Sequence, residues 1–547
     1  MSKKAGWGHP SLAMRAQCVV VAASLVLTLS GCEDDTPTPV ATTACAGTAC
    51  TATPPAANPD PAPTTPTPTP VTPLCPATVD YSTTYTGASA GGEYIKLSFD
   101  TTSRRYRMTF VESSVPRSAG QLQNTRAGLT IEGDFTHPAT LPTAEQNRCA
   151  IVLQGGRTSD GSYAVAINPA NPPMLFTGFG VVTGGSPGAT FQFNGIEVAP
   201  GITLAAVPSR SFDSFPFIGF AETETDLSQV AGRYHVVGMY LTPTGSAYQT
   251  VSPQGWEPEP ADWAETLNAD GSCTAEGNGY SCRTTGTPWA RRQNADGSQD
   301  NVFASYSVAA GIPYTTVGNA QPIVLLKPSL AHGVMIVGKV GTRRIPVVAR
   351  IGFANHPPGD LLSSVADDQV GLSLLAPGSA LQANAFDGKY VGVSSAALCG
   401  RVANNGPSAA PAVAAGVFDP SVDHPDLPGV YSGSFFRPDA GNCLDGSGTS
   451  TPAAIYLGNL FNGADGVQAG VAASSATPSL SLDYAQIVPG KVKVIALQAF
   501  STQSVAGSIP LFNSGNTGVM VRNGPIYALI MSSNKYNPFV QFGMALP

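Results

Sequence analysis

The sequence predicts an all-β protein: two or three antiparallel barrel or sandwich modules after a disordered Pro/Thr-rich tether. Three observations predict it. Short runs alternate apolar and polar residues, as in Tyr94-Ile95-Lys96-Leu97-Ser98-Phe99, Val302-Phe303-Ala304-Ser305-Tyr306-Ser307-Val308 and Lys491-Val492-Lys493-Val494-Ile495-Ala496-Leu497. A period of two marks a half-buried strand. Turn signals recur between such runs: Ser159-Asp160-Gly161-Ser162, Asn268-Ala269-Asp270-Gly271-Ser272, Asn294-Ala295-Asp296-Gly297-Ser298 and Asn462-Gly463-Ala464-Asp465-Gly466. Asp-Gly puts glycine at the positive φ that a tight turn demands. Long helical patterns are nearly absent, and only Asp262 to Leu267 reads as a short helix.

From the N-terminus, residues 1–31 read as a signal peptide. Lys3, Lys4 and Arg15 supply a positive region, and Cys18 to Leu29 is an apolar run of 12 residues. That run is too short to cross a hydrocarbon core, which takes about 20 helical residues. Met14 gives a more compact leader than Met1. The run ends in Leu27-Thr28-Leu29-Ser30-Gly31-Cys32. This resembles the lipobox of bacterial lipoproteins, a Leu-Ser-Gly-Cys signal for cleavage and lipidation. The resemblance rests on these few residues and on their place between an apolar run and a polar linker. It implies that Cys32 becomes the mature N-terminus, acylated and held in a membrane, with several chains anchoring far more firmly than one. Glu33 rather than Asp follows Cys32, which favours the outer membrane, facing the periplasm or the surface.

Residues 32–75 form the lipidated Cys and its linker. Thr64-Thr65-Pro66-Thr67-Pro68-Thr69-Pro70 offers nothing to bury. In polyproline geometry, about 40 such residues reach roughly 120 Å. The chain of 547 residues exceeds what one core supports, about 250–300 residues. A recurring Gly-x-Tyr entering a strand suggests module starts: Gly92-Glu93-Tyr94, Gly232-Arg233-Tyr234, Gly388-Lys389-Tyr390 and Gly429-Val430-Tyr431. It resembles the opening strand of lipocalin-like barrels. The modules it suggests are 76–226, 227–384 and 385–547, each long enough for a β-barrel or sandwich.

Removing residues 1–31, which carry three positive and no negative charges, takes the net charge from −8 to −11. With no basic stripe, nucleic-acid binding is excluded on electrostatic grounds. Eight cysteines remain beyond Cys18 and Cys32: Cys45, Cys50, Cys75, Cys149, Cys273, Cys282, Cys399 and Cys443. An even set in an exported chain reads as disulfides, of which 105 pairings are possible. Nearest-neighbour pairing (Cys45–Cys50, Cys75–Cys149, Cys273–Cys282, Cys399–Cys443) closes loops within modules. No close Cys/His spacing suits zinc, and no cofactor is implied.

Candidate chemistry is thin. Gly184-Gly185-Ser186-Pro187-Gly188 fits G-x-S-x-G, but a nucleophile elbow needs a following helix, and Pro187 with a β-type run follows instead. It reads as a Gly-rich hairpin turn. His137, His356 and His424 precede proline and belong in loops, while His235 and His332 complete the mature set. Asp419 to Asp426 concentrates acidic ligands without the spacing of a calcium loop. Glu222-Thr223-Glu224-Thr225-Asp226 sets two carboxylates on one strand face, a polar strand end or linker. No catalytic or metal residue is assigned.

The best binding candidate is the cluster Trp256, Trp263 and Trp289, spread over 34 residues. Tryptophan suits stacking on sugars or anchoring a partner. Three readings follow. The first is a lipid-anchored, non-catalytic binding or structural protein, with a glycan or envelope protein as partner. The second is an envelope glycan or lipid hydrolase. The third is a lipocalin-like carrier of an apolar ligand.

Overall fold

The computed structural model describes residues 73–118, 124–139, 141, 143–169, 172–193, 196–199, 202–204, 207–243, 256–276, 287–306, 313–314, 323–324, 331–352, 369–382, 385–386, 389–394, 401–402, 431–432, 434–436, 455–456, 480–484, 488–497, 500–504, 507–531 and 539–546. The signal segment, Cys32, the Pro/Thr run, the Asp419–Asp426 loop, and Cys45, Cys50, Cys282, Cys399 and Cys443 lie outside them. Val71–Pro547 forms one compact unit.

The first sheet closes on itself. Its strands are β1 (Tyr85–Ser89), β2 (Glu93–Asp100), β3 (Arg105–Ser113), β4 (Thr130–Thr136), β5 (Ala150–Leu153), β6 (Met174–Thr177), β7 (Val181–Pro187) and β8 (Ser214–Phe220). They run antiparallel around an eight-stranded barrel in the order β1-β8-β7-β6-β5-β4-β3-β2. Alternation decides which side chains go inside. On β2, Ile95, Leu97 and Phe99 join a cluster to which every barrel strand contributes, with Tyr85, Tyr106, Met108, Phe110, Ile131, Phe135, Ile151, Leu153, Leu175, Val182 and Phe217. Eight strands enclose just enough space for side chains to fill, so the lumen is a packed core.

One mouth of the barrel holds a buried ion pair. Glu93 begins β2 on the inward face and Arg126 enters from the loop after β3; both side chains are 0% exposed. Arg126 Nε and Nη2 donate to the two Glu93 carboxylate oxygens, each at 2.6 Å. Nη2 also donates to the Pro187 carbonyl at 2.8 Å, and Ser113 Oγ donates to Glu93 at 2.6 Å. The guanidinium lies 4.1 Å from the Phe110 ring centroid.

The second sheet comprises β9 (Gly232–Pro243), β10 (Trp256–Leu267), β11 (Cys273–Glu276), β12 (Ala290–Gln293), β13 (Gln299–Tyr306), β14 (His332–Val340), β15 (Arg343–Ile351) and β16 (Val370–Pro377). Its order is β11-β10-β9-β16-β15-β14-β13-β12. The third comprises β17 (Lys389–Ser394), β18 (Ile455–Tyr456), β19 (Leu480–Asp483), β20 (Val492–Ala496), β21 (Thr517–Asn523), β22 (Ile526–Met531) and β23 (Phe539–Leu546). Its order is β18-β17-β23-β22-β21-β20-β19. In all three sheets the first strand pairs with the last, so each is an antiparallel meander turned back on its start. The second and third sheets stay open at one place, between β11 and β12 and between β18 and β19.

The central strands of the open sheets bury both faces. Val236, Tyr240, Ala261, Leu267, Phe303, Met335 and Val348 fill the inside of the second. Tyr390, Val494, Met520, Tyr527, Leu529 and Phe539 fill the inside of the third. The alternate residues meet in one shared core. Ala88, Ala90, Tyr94, Phe176, Val181, Ile218 and Phe220 on the outside of the barrel pack with Val237, Met239, Val334, Ile336, Val347 and Leu374, and with Val521, Ile526, Ala528, Val540, Phe542 and Met544. Close approach there requires glycine. A Cβ on Gly338 would lie 2.2 Å from the Phe220 ring.

The Gly-x-Tyr repeat has a physical content in two of its copies. Tyr234 Oη donates to the Val230 carbonyl at 2.9 Å, and Tyr390 Oη donates to the Phe386 carbonyl. Each bond spans four residues backward, the device of a tyrosine corner. Tyr94 differs, since its ring faces the shared core. Tyr431 lies in a two-residue strand, Tyr431–Ser432, and its side chain is outside the described residues.

Two local expectations are corrected. Asp262–Leu267 belongs to strand β10, not to a helix, because the whole of β10 pairs with β9 from Trp256↔Pro243 to Leu267↔Gly232. Tertiary pairing overrides local propensity here. The G-x-S-x-G run is not a turn. Gly184 to Pro187 ends barrel strand β7, and Ser186 is 0% exposed, its Oγ 3.1 Å from Ser89 Oγ. The strand Thr190–Phe193 follows it, so no helix supplies an oxyanion hole. Three of the Asp-Gly turns take the expected glycine conformation, with φ of 70° at Gly161, 85° at Gly271 and 82° at Gly297; the fourth, Asn462 to Gly466, lies outside the described residues.

Two predictions follow from the packing. Gly338→Ala drives a methyl into the Phe220 ring and lowers stability by about 1–3 kcal/mol in urea unfolding, the usual cost of overpacking. Glu93→Ala strands a buried guanidinium and costs about 3–5 kcal/mol, whereas Glu93→Leu combined with Arg126→Met recovers most of that loss.

Candidate functional site

The densest group of ionisable side chains lies between the barrel and the second sheet. Tyr94 and Glu112 stand opposite each other on β2 and β3. Tyr94 and Lys96 alternate with the inward residues of β2 and so point out of the barrel. From the second sheet come Arg292 of β12, Asp300, Asn301 and Tyr306 of β13, and His332 of β14.

Arg292 donates to Glu112 and, at 2.9 Å, to Asp300. Lys96 Nζ donates to Asp300 at 3.1 Å and Tyr94 Oη does so at 3.0 Å. His332 Nε2 donates to Glu112 at 2.5 Å, since a carboxylate can only accept. The Tyr306 ring, 40% exposed, stacks on His332 with centroids 5.1 Å apart. Burial opposes ionisation of Glu112, but His332 and Arg292 outweigh it and pull the carboxyl from its ordinary 4.5 to about 2. Burial likewise opposes the charge on Asp300, and the Asn301 N–H with Lys96 overcomes it, so its carboxyl sits below the usual range. These groups neutralise one another. The arrangement ties two β surfaces together and leaves no carboxylate pair with room for a substrate between its members.

Polar contacts also hold the third sheet. His235 Nε2 lies 2.7 Å from the Pro489 carbonyl. Asn523 Nδ2 donates to the carbonyls of Arg344 at 3.1 Å and Leu375 at 3.0 Å. Lys491 pairs with Asp262 at 2.9 Å.

The candidates from the sequence fall as follows. Trp289 is 4% exposed in the interior of the second sheet. Its backbone N–H donates to the Gly271 carbonyl at 2.8 Å, bridging the approach between β11 and β12. Trp263 is half-buried and stacks on Tyr240 with centroids 6.1 Å apart. The side chain of Trp256 is outside the described residues. The two described tryptophans therefore pack the sheet from within. Glu224 is spent on Arg344 at 2.7 Å and Lys339 at 3.5 Å, and Asp226 caps the short turn Leu227–Val230.

Cys75 and Cys149 form a disulfide. Cys273 is also disulfide-bonded, to a partner outside the described residues. Cys149 ends the helix α1 (Ala144–Cys149), which a Thr143/Gln146 capping box opens. Around the bridge, Glu145 accepts from the Leu74 N–H at 2.9 Å. Arg148 donates to the carbonyls of Cys75 at 3.0 Å and Pro76 at 2.8 Å. This clamp fixes where the chain enters the barrel. Cys75, Cys149 and Glu145 also converge closely enough to bind a metal, but the bridge consumes both thiols. A cavity of about 150 Å³ sits beside the clamp, lined by His137, Arg148, Thr78, Thr101 and Thr102 among others. That is below the roughly 300 Å³ where ligand pockets begin.

The network of Glu112, Arg292, Asp300 and His332 was not singled out from sequence. Its one local signal is Glu112 in an otherwise well-alternating strand, opposite the outward-facing Tyr94.

The fold thus defines an all-β protein of three meander sheets joined by apolar and ionic seams. Residues 105–544 match the family described as Protein of unknown function (DUF2957), and the chain belongs to that family. No curated protein matches the sequence. Among the solved structures that resemble it are two of the vaccine antigen Transferrin Binding Protein B from Haemophilus parasuis Hp5. The single mutant matches at 10% identity and a TM-score of 0.20, covering 54% of this chain and 64% of that one. The double mutant matches at 11% identity and a TM-score of 0.18, covering 55% and 64%. The match thus spans less than two thirds of those chains.

The seam has a pH signature. A carboxyl lowered from 4.5 to about 2 on folding stabilises the fold above the unfolded value and loses that contribution as pH falls through the folded one. Acid unfolding followed by circular dichroism will show a loss of stability between those values. Glu112→Gln lacks that component and is less stable at pH 7 by about 1–3 kcal/mol.

Proposed function

We propose that the chain is a lipid-anchored, non-catalytic binding or structural protein of the bacterial cell envelope, held on the outer membrane through Cys32. The observation that carries the non-catalytic reading is the fate of four of its buried or half-buried carboxylates. Glu93, Glu112, Glu224 and Asp300 are each matched to Arg, Lys or His within 4 Å. A hydrolase of glycosidic bonds needs two carboxylates facing a cleft, and these four are spent in structural pairs. The packed lumen argues in the same direction against a carrier that uses the first barrel. Among the described residues no helix is long and apolar enough to cross a membrane.

The Pro/Thr run between Cys32 and the clamp at Cys75 gives the anchored body reach from the bilayer. Binding in this reading falls to exposed surface, toward an envelope protein or glycan. Of the tryptophan cluster, Trp289 is sealed and Trp263 is stacked, and the side chain of Trp256 lies outside the described residues.

The anchor is tested by metabolic labelling with an alkyne palmitate analogue and membrane fractionation. The native chain takes up label and sediments with outer membrane. Cys32→Ser takes up none and appears in the soluble fraction. A Cys32→Ser chain that stays labelled and membrane-bound contradicts the proposal.

A further inference from the structure

The inside of the third sheet contains polar groups that nothing around them satisfies. Gln541 on β23 is 0% exposed, and neither its Oε1 nor its Nε2 has a hydrogen-bond partner. The hydroxyl of Tyr527 on β22 is also buried and without a partner.

Register puts these side chains on one face. Tyr527 stands opposite Gly543, and Leu529 opposite Gln541. Tyr527 and Leu529 belong to the interior cluster with Phe539 and Ala545. Gln541 lies between Phe539 and Gly543 at the same parity, so it too faces inward. Tyr527 and Gln541 are therefore diagonal neighbours across one strand pair, a separation of about 7–8 Å between Cα atoms. The described side chains around them are mostly apolar, Tyr390, Leu529, Met531, Phe512 and Phe539, while Ser394 of β17, whose side chain is outside the described residues, stands opposite Gln541.

Leaving such groups unpaired is expensive, about 1–3 kcal/mol each, and native cores contain few of them. A primary amide offers both a donor and an acceptor, and the phenol adds one of each. We propose that the interior of the third sheet is a binding site for a neutral amphiphile, an apolar chain whose carboxamide, ester or alcohol group pairs with Gln541 and Tyr527. The ligand is taken as neutral because, among the described residues, no cation acts on Tyr527. Burial and then Tyr390 are what raise the Tyr527 hydroxyl above its ordinary value, and an unpaired carboxylate or phosphate would be buried without a counter-ion. Its tail replaces contacts among the interior side chains, and its head supplies the missing hydrogen bonds. This goes beyond the surface-binding reading given above and is independent of the anchor.

The probe is radiolabelled decanamide, in equilibrium dialysis against the purified full chain without detergent. Saturable uptake near one per chain is expected. Gln541→Leu and Tyr527→Phe should each weaken it tenfold or more while melting at or above the native temperature, because each removes an unpaired polar group. Decanoate should bind at least tenfold more weakly than decanamide. Failure of decanamide to bind overturns the proposal, as does binding unchanged in both variants. A fall of several degrees in the melting temperature of both variants overturns it too, since it would mean that Gln541 and Tyr527 make structural hydrogen bonds. None of these outcomes bears on Cys32 labelling, so the two readings fail separately.

Discussion

The structure depends on burying the outer wall of the first barrel. A small closed barrel with a packed lumen can stand alone when its outward residues are polar. Here Ala88, Ala90, Tyr94, Phe176, Val181, Ile218 and Phe220 face outward and are all buried. Exposed together they would form an apolar patch of the kind that marks an interface or an aggregation site. Alternate residues of the second and third sheets cover them. The cost falls on the open sheets, whose central strands, such as β14, β16, β22 and β23, are buried on both faces. The barrel needs its partners, and they need the barrel.

That dependence explains what was legible in the sequence. The all-β class was readable because alternation is local: Tyr94 to Phe99 shows its period without help from the rest of the chain. The Asp-Gly turns were readable for the same reason. Strands buried on both faces lose that signal. Val334-Met335-Ile336-Val337 sends alternate residues to the shared core and to the interior of its own sheet, and in sequence it is only an apolar run. Such a run signals burial without naming the partner. The helix expected at Asp262–Leu267 failed because twelve paired positions along β10 outweighed a few helix-favouring residues.

The candidate sites divide along the same line. The Cys75–Cys149 bridge was within reach because neighbouring cysteines in an exported chain close local loops. The Glu112–His332 contact joins residues 220 apart, and no spacing rule brings them together. Trp263 and Trp289 were ambiguous for a plainer reason. Large aromatic faces serve packing and recognition equally well, and sequence does not say which. Trp289 is used to fill the second sheet and to bridge its open side. Gln541 was invisible because a glutamine in a strand normally faces water, and only the register of β22 with β23 turns it inward.

The central claim is that three β sheets stand as one body on a shared core. Native-state amide hydrogen exchange in increasing urea measures it most directly. Amides in β8 of the barrel, β14 of the second sheet and β22 of the third should reach the same free energy of opening and the same urea dependence, because opening any one exposes the apolar wall of the others. Barrel amides that stay protected while β22 exchanges at a lower free energy would contradict the account, since the sheets would then be separate bodies in contact.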